Sequence, residues 1–529
     1  MRFYFAGGLN EQQTPNILEC GEGYNFELGL RQSKMVRRAP IDLLGTATNA
    51  AEINGFMQLV QRDNSETTLV QSGDTVYLWD GASSFTSKGT VNASSMLRGT
   101  YWSLGEYLVV TDIAKATVVK KWDGTTFGTL TTGLGTNLYA KYGLVFNNRM
   151  WLFNVTTSSA TPHLMVASAF ENPQSYDTSN RGGPTTSGGG TFTTGQEAFY
   201  MLTPDLKPIN GACVFYNQLI ISTTGGRLFK LTGSTAATYA WTDFYPGSSA
   251  IGTESIANIG NDVIYMKEGG GIDLLSSTQN SGDVATDDVS RWIPETVADL
   301  TDAITVYDQK NQKVLFFVDG KVLVLYKDLV GAELSPWSVY KTQQTFAFNT
   351  NAAIYMKRPG TQVYSVFLGD SVGRIFDLYG SGSSGDAGAS TIQVLRKTRY
   401  IYDGEGGDKN GHGAIDTKRK IMHGTIQYRR IDTGCDCTVS FDWGDEYNIS
   451  SSVIPLKGAP TAYVGNYWGG GSYWGDSSTY WSEGGAFRLK ISNQTFSPTG
   501  KGPGFFLSVS FDTNTEFQVD SIDLQPPAR

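Results

Sequence analysis

The chain has 529 residues and 57.5 kDa, beyond the ~250–300 residues at which a single hydrophobic core stops growing, so several domains or one large repeat array is expected. Glycine (62 residues) and aromatics (12%) are abundant and charged residues (17%) scarce, which reads as short strands joined by tight turns and excludes collagen, disorder and coiled coils. The 41 basic and 50 acidic residues, net −9 with a pI near 5.1, exclude a surface that grips nucleic-acid phosphates broadly, though not DNA passing beside an acidic wall.

Residues 1–45 read as a leading segment that closes the following domain or docks elsewhere. It starts MRFYFAGGLNEQQ, with no apolar run of signal-peptide length, and no 18 consecutive apolar residues occur in the chain. A cytoplasmically synthesised chain without membrane insertion is therefore expected. Arg31, Lys34, Arg37 and Arg38 make a basic cluster in LRQSKMVRRAP. In an acidic chain such a cluster suits phosphate or an acidic partner surface, or is simply a solvated charged segment.

Next comes a repeat. Trp79-Asp80-Gly81 and Trp122-Asp123-Gly124 lie 43 residues apart, each ahead of a Phe (Phe85, Phe127), and 43 residues further on is Met165 in an apolar run. Strand-turn-strand patterns follow at 219–232 around Gly225-Gly226, read as a two-residue turn, then at 263–275, 314–326 around Asp319-Gly320, and 363–378. About six or seven such units at this spacing predict a β-propeller over 46–379, with two stacked sandwiches as the alternative. The Gly/Ser/Thr/Pro stretch 179–195 reads as a loop inserted in one blade. Pro294 followed by ETVADL predicts a short helix from 294 to about 301.

GSGSSGDAGA at 380–389 marks a linker over 380–390. Beyond it, alternating segments at 391–401, 422–431, 437–443, 486–491, 505–511 and 517–524 predict an antiparallel sandwich or jelly roll over 391–529. A second basic cluster, Lys418, Arg419 and Lys420, carries the same two readings as the first. Tyr467-Trp468, Tyr473-Trp474 and Tyr480-Trp481 recur between glycines and serines, as aromatics do at subunit contacts, in a domain's own core or under a sugar ring.

Catalytic chemistry finds little footing. The three histidines, His163, His412 and His423, fall in no recognisable pairing, and no nucleophile elbow, phosphate loop or zinc helix motif occurs. Ser440-Phe441-Asp442-Trp443-Gly444 matches a structural turn box of sialidase propellers. Residues 408–416 mimic part of a calcium loop but Arg419 replaces the closing acid. The four cysteines, Cys20, Cys213, Cys435 and Cys437, are too few for a disulfide framework and read as free thiols, with Cys435 and Cys437 on one face of a strand. No metal or other cofactor is expected, and no catalytic residue is selected.

Taken in order, GGLNEQQTPNILECGEGYNFELGLRQSKMVRR at 7–38, WDGTTF at 122–127, NNRMWLF at 147–153, ASAFENPQSY at 167–176, LIISTTGGRLFKLTGS, IGTESIANIGNDVIYM, NQKVLFFVDGKVLVLY with SPWSVY, and LGDSVGRIFDL are similar to segments of the tail-nozzle and packaged-DNA-stabilisation (tail hub) β-propeller proteins of short-tailed bacteriophages. The resemblance covers most of the chain and is loose over the C-terminal 140 residues. It implies a non-enzymatic virion protein in the phage tail, a ring of typically six copies below the portal and adaptor. Double-stranded DNA would pass through the ring, which would retain the genome, seat other tail proteins and open on infection. The rival reading is a propeller that binds or cleaves host glycan as a receptor-recognition protein.

Overall fold

A computed structural model of the protein describes residues 2–3, 8–12, 20–29, 32–176, 197–342 and 350–380, apart from positions 133, 135–136, 158–159, 236–237, 278–283, 299 and 301. It also describes Asp386 and the later strands Ile392–Lys397, Ile401–Tyr402, His423–Arg429, Cys435–Asp442, Ile449–Leu456, Ile491–Phe496, Gly504–Thr513 and Gln518–Gln525. The chain divides into two units, residues 41–327 with 344–380, and residues 1–40 with 328–343 and 381–529.

The first unit is built on a β-propeller. Among the described residues there are seven four-stranded antiparallel sheets, whose first strands are Ile53–Val60, Leu97–Trp102, Tyr139–Phe146, Ile209–Phe215, Ile256–Asn258, Ile304–Asp308 and Ala353–Lys357. First strands of successive blades lie side by side around the axis: the second touches the first and third, the fifth touches the fourth and sixth, and the seventh touches the sixth and first. A four-stranded sheet cannot cover both its faces, so each blade buries them against its neighbours. The core is accordingly a set of apolar slabs between blades. One holds Met57, Leu69, Leu97, Val110 and Trp122 between the first two blades. Another holds Trp151, Phe153, Met165, Leu219 and Leu231 between the third and fourth.

The repeat read from sequence is the outer hairpin of a blade. Trp79 ends one third strand and pairs with Phe85, and Trp122 pairs with Phe127. In each hairpin the Asp carboxylate accepts turn amides (Ala82 and Ser84 on Asp80, Thr125 and Thr126 on Asp123), and the following glycine takes φ near +90°, a conformation costly for any residue with a Cβ. In the third blade the equivalent pair is Ala167 with Phe199, two residues beyond Met165. The stretch 179–195 read as an inserted loop falls between them in sequence and lies outside the described residues. Asp319-Gly320 is a two-residue hairpin turn with both φ positive, as its pairing Val318–Lys321 requires. Around Gly225-Gly226 the pair Thr223–Arg227 encloses three residues, so that turn is one longer than expected.

The seventh blade is completed from the chain's beginning. Its strands Ala353–Lys357, Tyr364–Gly369 and Arg374–Asp377 are joined by Asp42–Thr46, so the last part of the leading segment closes the propeller. Asp42 and Asp377 are direct partners in this pairing. Burial pushes the Asp377 carboxyl above the usual carboxylate range; the Ser365 hydroxyl, the Tyr379 amide and Arg358 oppose this, and Asp42 adds to it. Since the native state holds this proton more tightly than the unfolded chain, its stabilising contribution is full in acid and lost as pH rises through the raised value. Asp377→Asn is therefore expected to raise the propeller's unfolding midpoint at about pH 7, with the gain shrinking toward zero near pH ~4; paired thermal melts across that range check it.

The expected helix is shorter than read: a 3-10 turn Val289–Trp292 leads into a single helical turn, Pro294–Val297. Proline stands where its missing N–H costs nothing.

In the second unit, the described residues form two six-stranded antiparallel sheets that combine strands from both ends of the sequence. One joins Arg2–Phe3, Phe26–Gly29 and Gln32–Arg37 to Gln518–Gln525, His423–Arg429 and Ile491–Phe496. The other joins Glu22–Tyr24 to Ile392–Lys397, Ile401–Tyr402, Gly504–Thr513, Cys435–Asp442 and Ile449–Leu456. Ile392 and Val394, Cys437 and Val439, Leu507 and Val509 are buried at alternate positions, the two-residue period of a sheet covered on one face. The C-terminal domain therefore also takes in residues 1–40 and 328–343, which the reading as 391–529 omitted. Ser440 and Asp442 lie within strand Cys435–Asp442, paired on both sides, rather than in the turn expected of them.

Candidate functional site

The charged residues that the fold gathers stand at the propeller hub. Four polar residues occupy the run-in to a first strand: Glu52 before the first blade, Glu254 before the fifth, Asp302 before the sixth and Asn351 before the seventh. Arg98 and Lys141 extend from the first strands of the second and third blades. The Arg98 guanidinium grips Glu254 in a two-pronged ion pair, Nε to Oε1 and Nη2 to Oε2 (2.5 Å). Its other donors reach the carbonyls of Asn54 (2.7 Å), Leu97 (2.8 Å) and Asn351 (2.8 Å). All five N–H groups of the fork are thus bonded. Glu254 in turn accepts, through its backbone carbonyl, the Thr305 amide of the sixth blade (2.8 Å). Asn351 Nδ2 donates to Glu52 Oε1 (2.8 Å).

Two further charges complete the hub. Burial pushes the Lys141 ammonium below its usual value, against the pull of Asp302 and Glu254. Burial raises the Asp302 carboxyl, and Glu254 raises it further, while the Ala303 amide, Lys141 and Arg98 lower it. The Asp302 carboxylate packs against Gly252, where a Cβ would collide with it. Chemically this is a neutralised, hydrogen-bonded cluster: the donors of Arg98 are committed, so it is built to hold elements together.

A second cluster lies in the fifth blade. Tyr265 donates to Asp273 (3.1 Å), Ser248 is 2.8 Å from the Tyr265 hydroxyl, and Lys267 bridges Asp273 (2.9 Å) and Asp288 (3.4 Å). Burial alone would lower Lys267, but the two aspartates hold it above its usual value. Among the described residues no three His, Cys, Asp or Glu side chains gather as metal ligands, and no helix is long and apolar enough to cross a membrane. Cys20, Cys213 and Cys437 are buried; burial pushes the Cys213 thiol up to about 12.

The residues singled out from sequence fare differently. Arg37 and Arg38 are both buried. Arg38 is 1% exposed and makes a two-pronged pair with Asp386, through Nη1 (2.8 Å) and Nη2. It donates further to Asn25 Oδ1 (2.9 Å) and to the Ala39 and Lys341 carbonyls (2.9 and 3.1 Å), and it lies over the Tyr340 ring. A phosphate at Arg38 would have to displace Asp386, so Arg38 is placed as an internal fastening of its unit and not as a surface contact. Lys34 belongs to strand Gln32–Arg37. Arg31, Lys418, Arg419 and Lys420 lie outside the described residues, as do Tyr467, Trp468, Tyr473, Trp474, Tyr480, Trp481 and the calcium-like stretch 408–416. Sequence reasoning passed over the hub. Its signal was an acid or amide one or two residues ahead of the first strands of the first, fifth, sixth and seventh blades, and one cation inside each of LRGTYW and YAKYGLVF.

No protein-family model matches the chain, and no curated protein matches it in sequence. Among solved structures it is similar to virginiamycin B lyase from Staphylococcus aureus, at 10% identity over 64% of this chain and 98% of that one, with a TM-score of 0.41. It is likewise similar to the Cps50 (Swd1) β-propeller domain of Myceliophteria thermophila, at 11% identity over 64% and 99% of the two chains, TM-score 0.39. A third is YCF48 bound to D1 peptide, at 10% identity over 64% and 95%, TM-score 0.37. The lyase is an enzyme; at this distance its activity says nothing of this chain.

Proposed function

We propose that this chain is a structural, non-enzymatic component of a short-tailed phage tail, assembling as a ring of six copies below the portal and adaptor that retains the packaged DNA and conducts it on infection. What carries this reading is the ordered series of segments that resemble those of tail-nozzle proteins. Seven of those segments fall on successive propeller blades: WDGTTF on the outer hairpin of the second, NNRMWLF and ASAFENPQSY on the third, LIISTTGGRLFKLTGS on the fourth, IGTESIANIGNDVIYM on the fifth, NQKVLFFVDGKVLVLY on the sixth and LGDSVGRIFDL on the seventh. The acid balance of the chain supports it too, because a wall poor in exposed cations binds passing phosphates weakly. In this reading DNA runs between subunits, since each propeller's own hub is crossed by the Arg98–Glu254 pair.

The test is quantitative mass spectrometry of purified virions with gold labelling of this chain in electron micrographs. The expected result is about half as many copies as portal subunits and gold at the tail, an order-of-magnitude stoichiometry for a closed ring. Absence from virions would reject the proposal. Gold at the periphery, in multiples of three per spike, would replace it with a receptor-binding role, to be followed by glycan arrays.

A further inference from the structure

We infer that Arg98 and Glu254 form a clasp that fastens the propeller across its axis, separately from the strand that closes it at the rim. The argument is topological. Arg98 belongs to the second blade and Glu254 introduces the fifth, so two blades separate them one way round and three the other. A direct side-chain pair between them can only cross the hub. The same guanidinium is bonded to carbonyls at the first strand of the first blade (Asn54) and at the entry to the seventh (Asn351), while Glu254 is tied by its backbone to the sixth. One ion pair therefore links five of the seven blades, including the first and seventh, between which the ring closes. Neighbouring blades have bonds of their own, such as Thr100 to the Gly143 carbonyl (2.8 Å) and Gln58 to the Lys357 carbonyl (2.6 Å), but each of these joins only two.

A second fastening has a physical reason here. The rim closure rests on one short strand, Asp42–Thr46, whose pairing with Arg374–Asp377 is interrupted by a register shift between Ile375 and Phe376. A short, irregular edge pairing opens readily. A planar fork bonded through all five donors loses more than a point charge would on any change of geometry. The pair is about one-fifth exposed, Arg98 19% and Glu254 24%, so it escapes much of the desolvation cost of a fully buried pair. This inference stands on the propeller alone and does not depend on the tail assignment.

The test is amide hydrogen exchange on the full chain carrying Arg98→Ala. The expected result is exchange about tenfold faster together in Leu97–Trp102, Ile53–Val60, Ile256–Asn258 and Ala353–Lys357, strands that are not all neighbours. The outer strand Phe199–Leu202 should keep its wild-type rate. The exchanged pair Arg98→Glu with Glu254→Arg should recover part of the protection. Should Arg98→Ala fail to fold, Arg98→Lys and Glu254→Gln, which keep bulk and one hydrogen bond, carry the same comparison. Faster exchange confined to residues 97–102, or spread evenly over inner and outer strands alike, would overturn the clasp, as would no change at all.

Discussion

Replacing Arg38 by alanine should destabilise the protein by about 3–5 kcal/mol, the usual cost of breaking a buried ion pair from one side. Asp386, itself only 2% exposed, would keep its carboxylate in the interior without its fork, and Asn25 and the Lys341 carbonyl would lose a donor. The double change Arg38→Met/Asp386→Leu removes both charges and should cost less than either single change, because an apolar pair of similar volume has no desolvation to offset. Chemical-denaturant unfolding of the three variants, followed at the transition of the second unit, checks this. A double variant as unstable as the sum of its parts would show that the charges are not coupled. The same burial governs how any charge reversal here should be read: glutamate at Arg37 and Arg38 would report on folding before it reported on DNA.

Trp151→Ala should be the most damaging single truncation in the propeller, at about 3–5 kcal/mol. Trp151 is fully buried between the third and fourth blades. Its ring stands edge-on to Phe199 and to Tyr239, both at 5.3 Å between centroids, and its indole N–H donates to the Phe146 carbonyl (3.2 Å). Removing it takes away a contact shared by two blades and leaves a cavity whose walls are held by separate sheets, so the site cannot collapse. Trp151→Phe keeps most of the apolar volume and loses the hydrogen bond, and should cost clearly less. Denaturant titration followed by tryptophan fluorescence and by far-ultraviolet circular dichroism separates the two variants; equal losses would mean that the indole's hydrogen bond, not its volume, carries the energy.

The propeller was legible because its determinants are local. Trp-Asp-Gly turns, glycine pairs and alternating apolar strands lie within about ten residues of one another, and their spacing counts the blades. The assignment of chain ends was less legible. Residues 1–40 and 42–46 belong to different units, yet nothing at Pro40 or Ile41 announces it, since Glu22–Tyr24 and Asp42–Thr46 find their partners more than 300 residues away. The hub was missed for a related reason: Glu254 and Arg98 are 156 residues apart, and their meeting follows only from the blade count. Arg37 and Arg38 were misjudged because a run of cations reads as solvated surface, whereas the strand Gln32–Arg37 that leads into Arg38 enters a sheet half of whose six strands come from the C-terminal part of the chain.

The strand Asp42–Thr46 also sets a timetable. It leaves the ribosome well before its partner Arg374–Asp377, which follows more than 300 residues later. At ordinary rates of synthesis that is a wait of about 20–70 s, during which the six earlier blades can stack one after another while the seventh has nothing to close it. Through that interval the nascent chain carries an unpaired strand, with Leu43 and Leu44 in it, and an open blade face. Both are surfaces on which a second nascent chain could pair. Each copy thus passes through a stage in which exchange of this strand between neighbouring chains competes with its own closure.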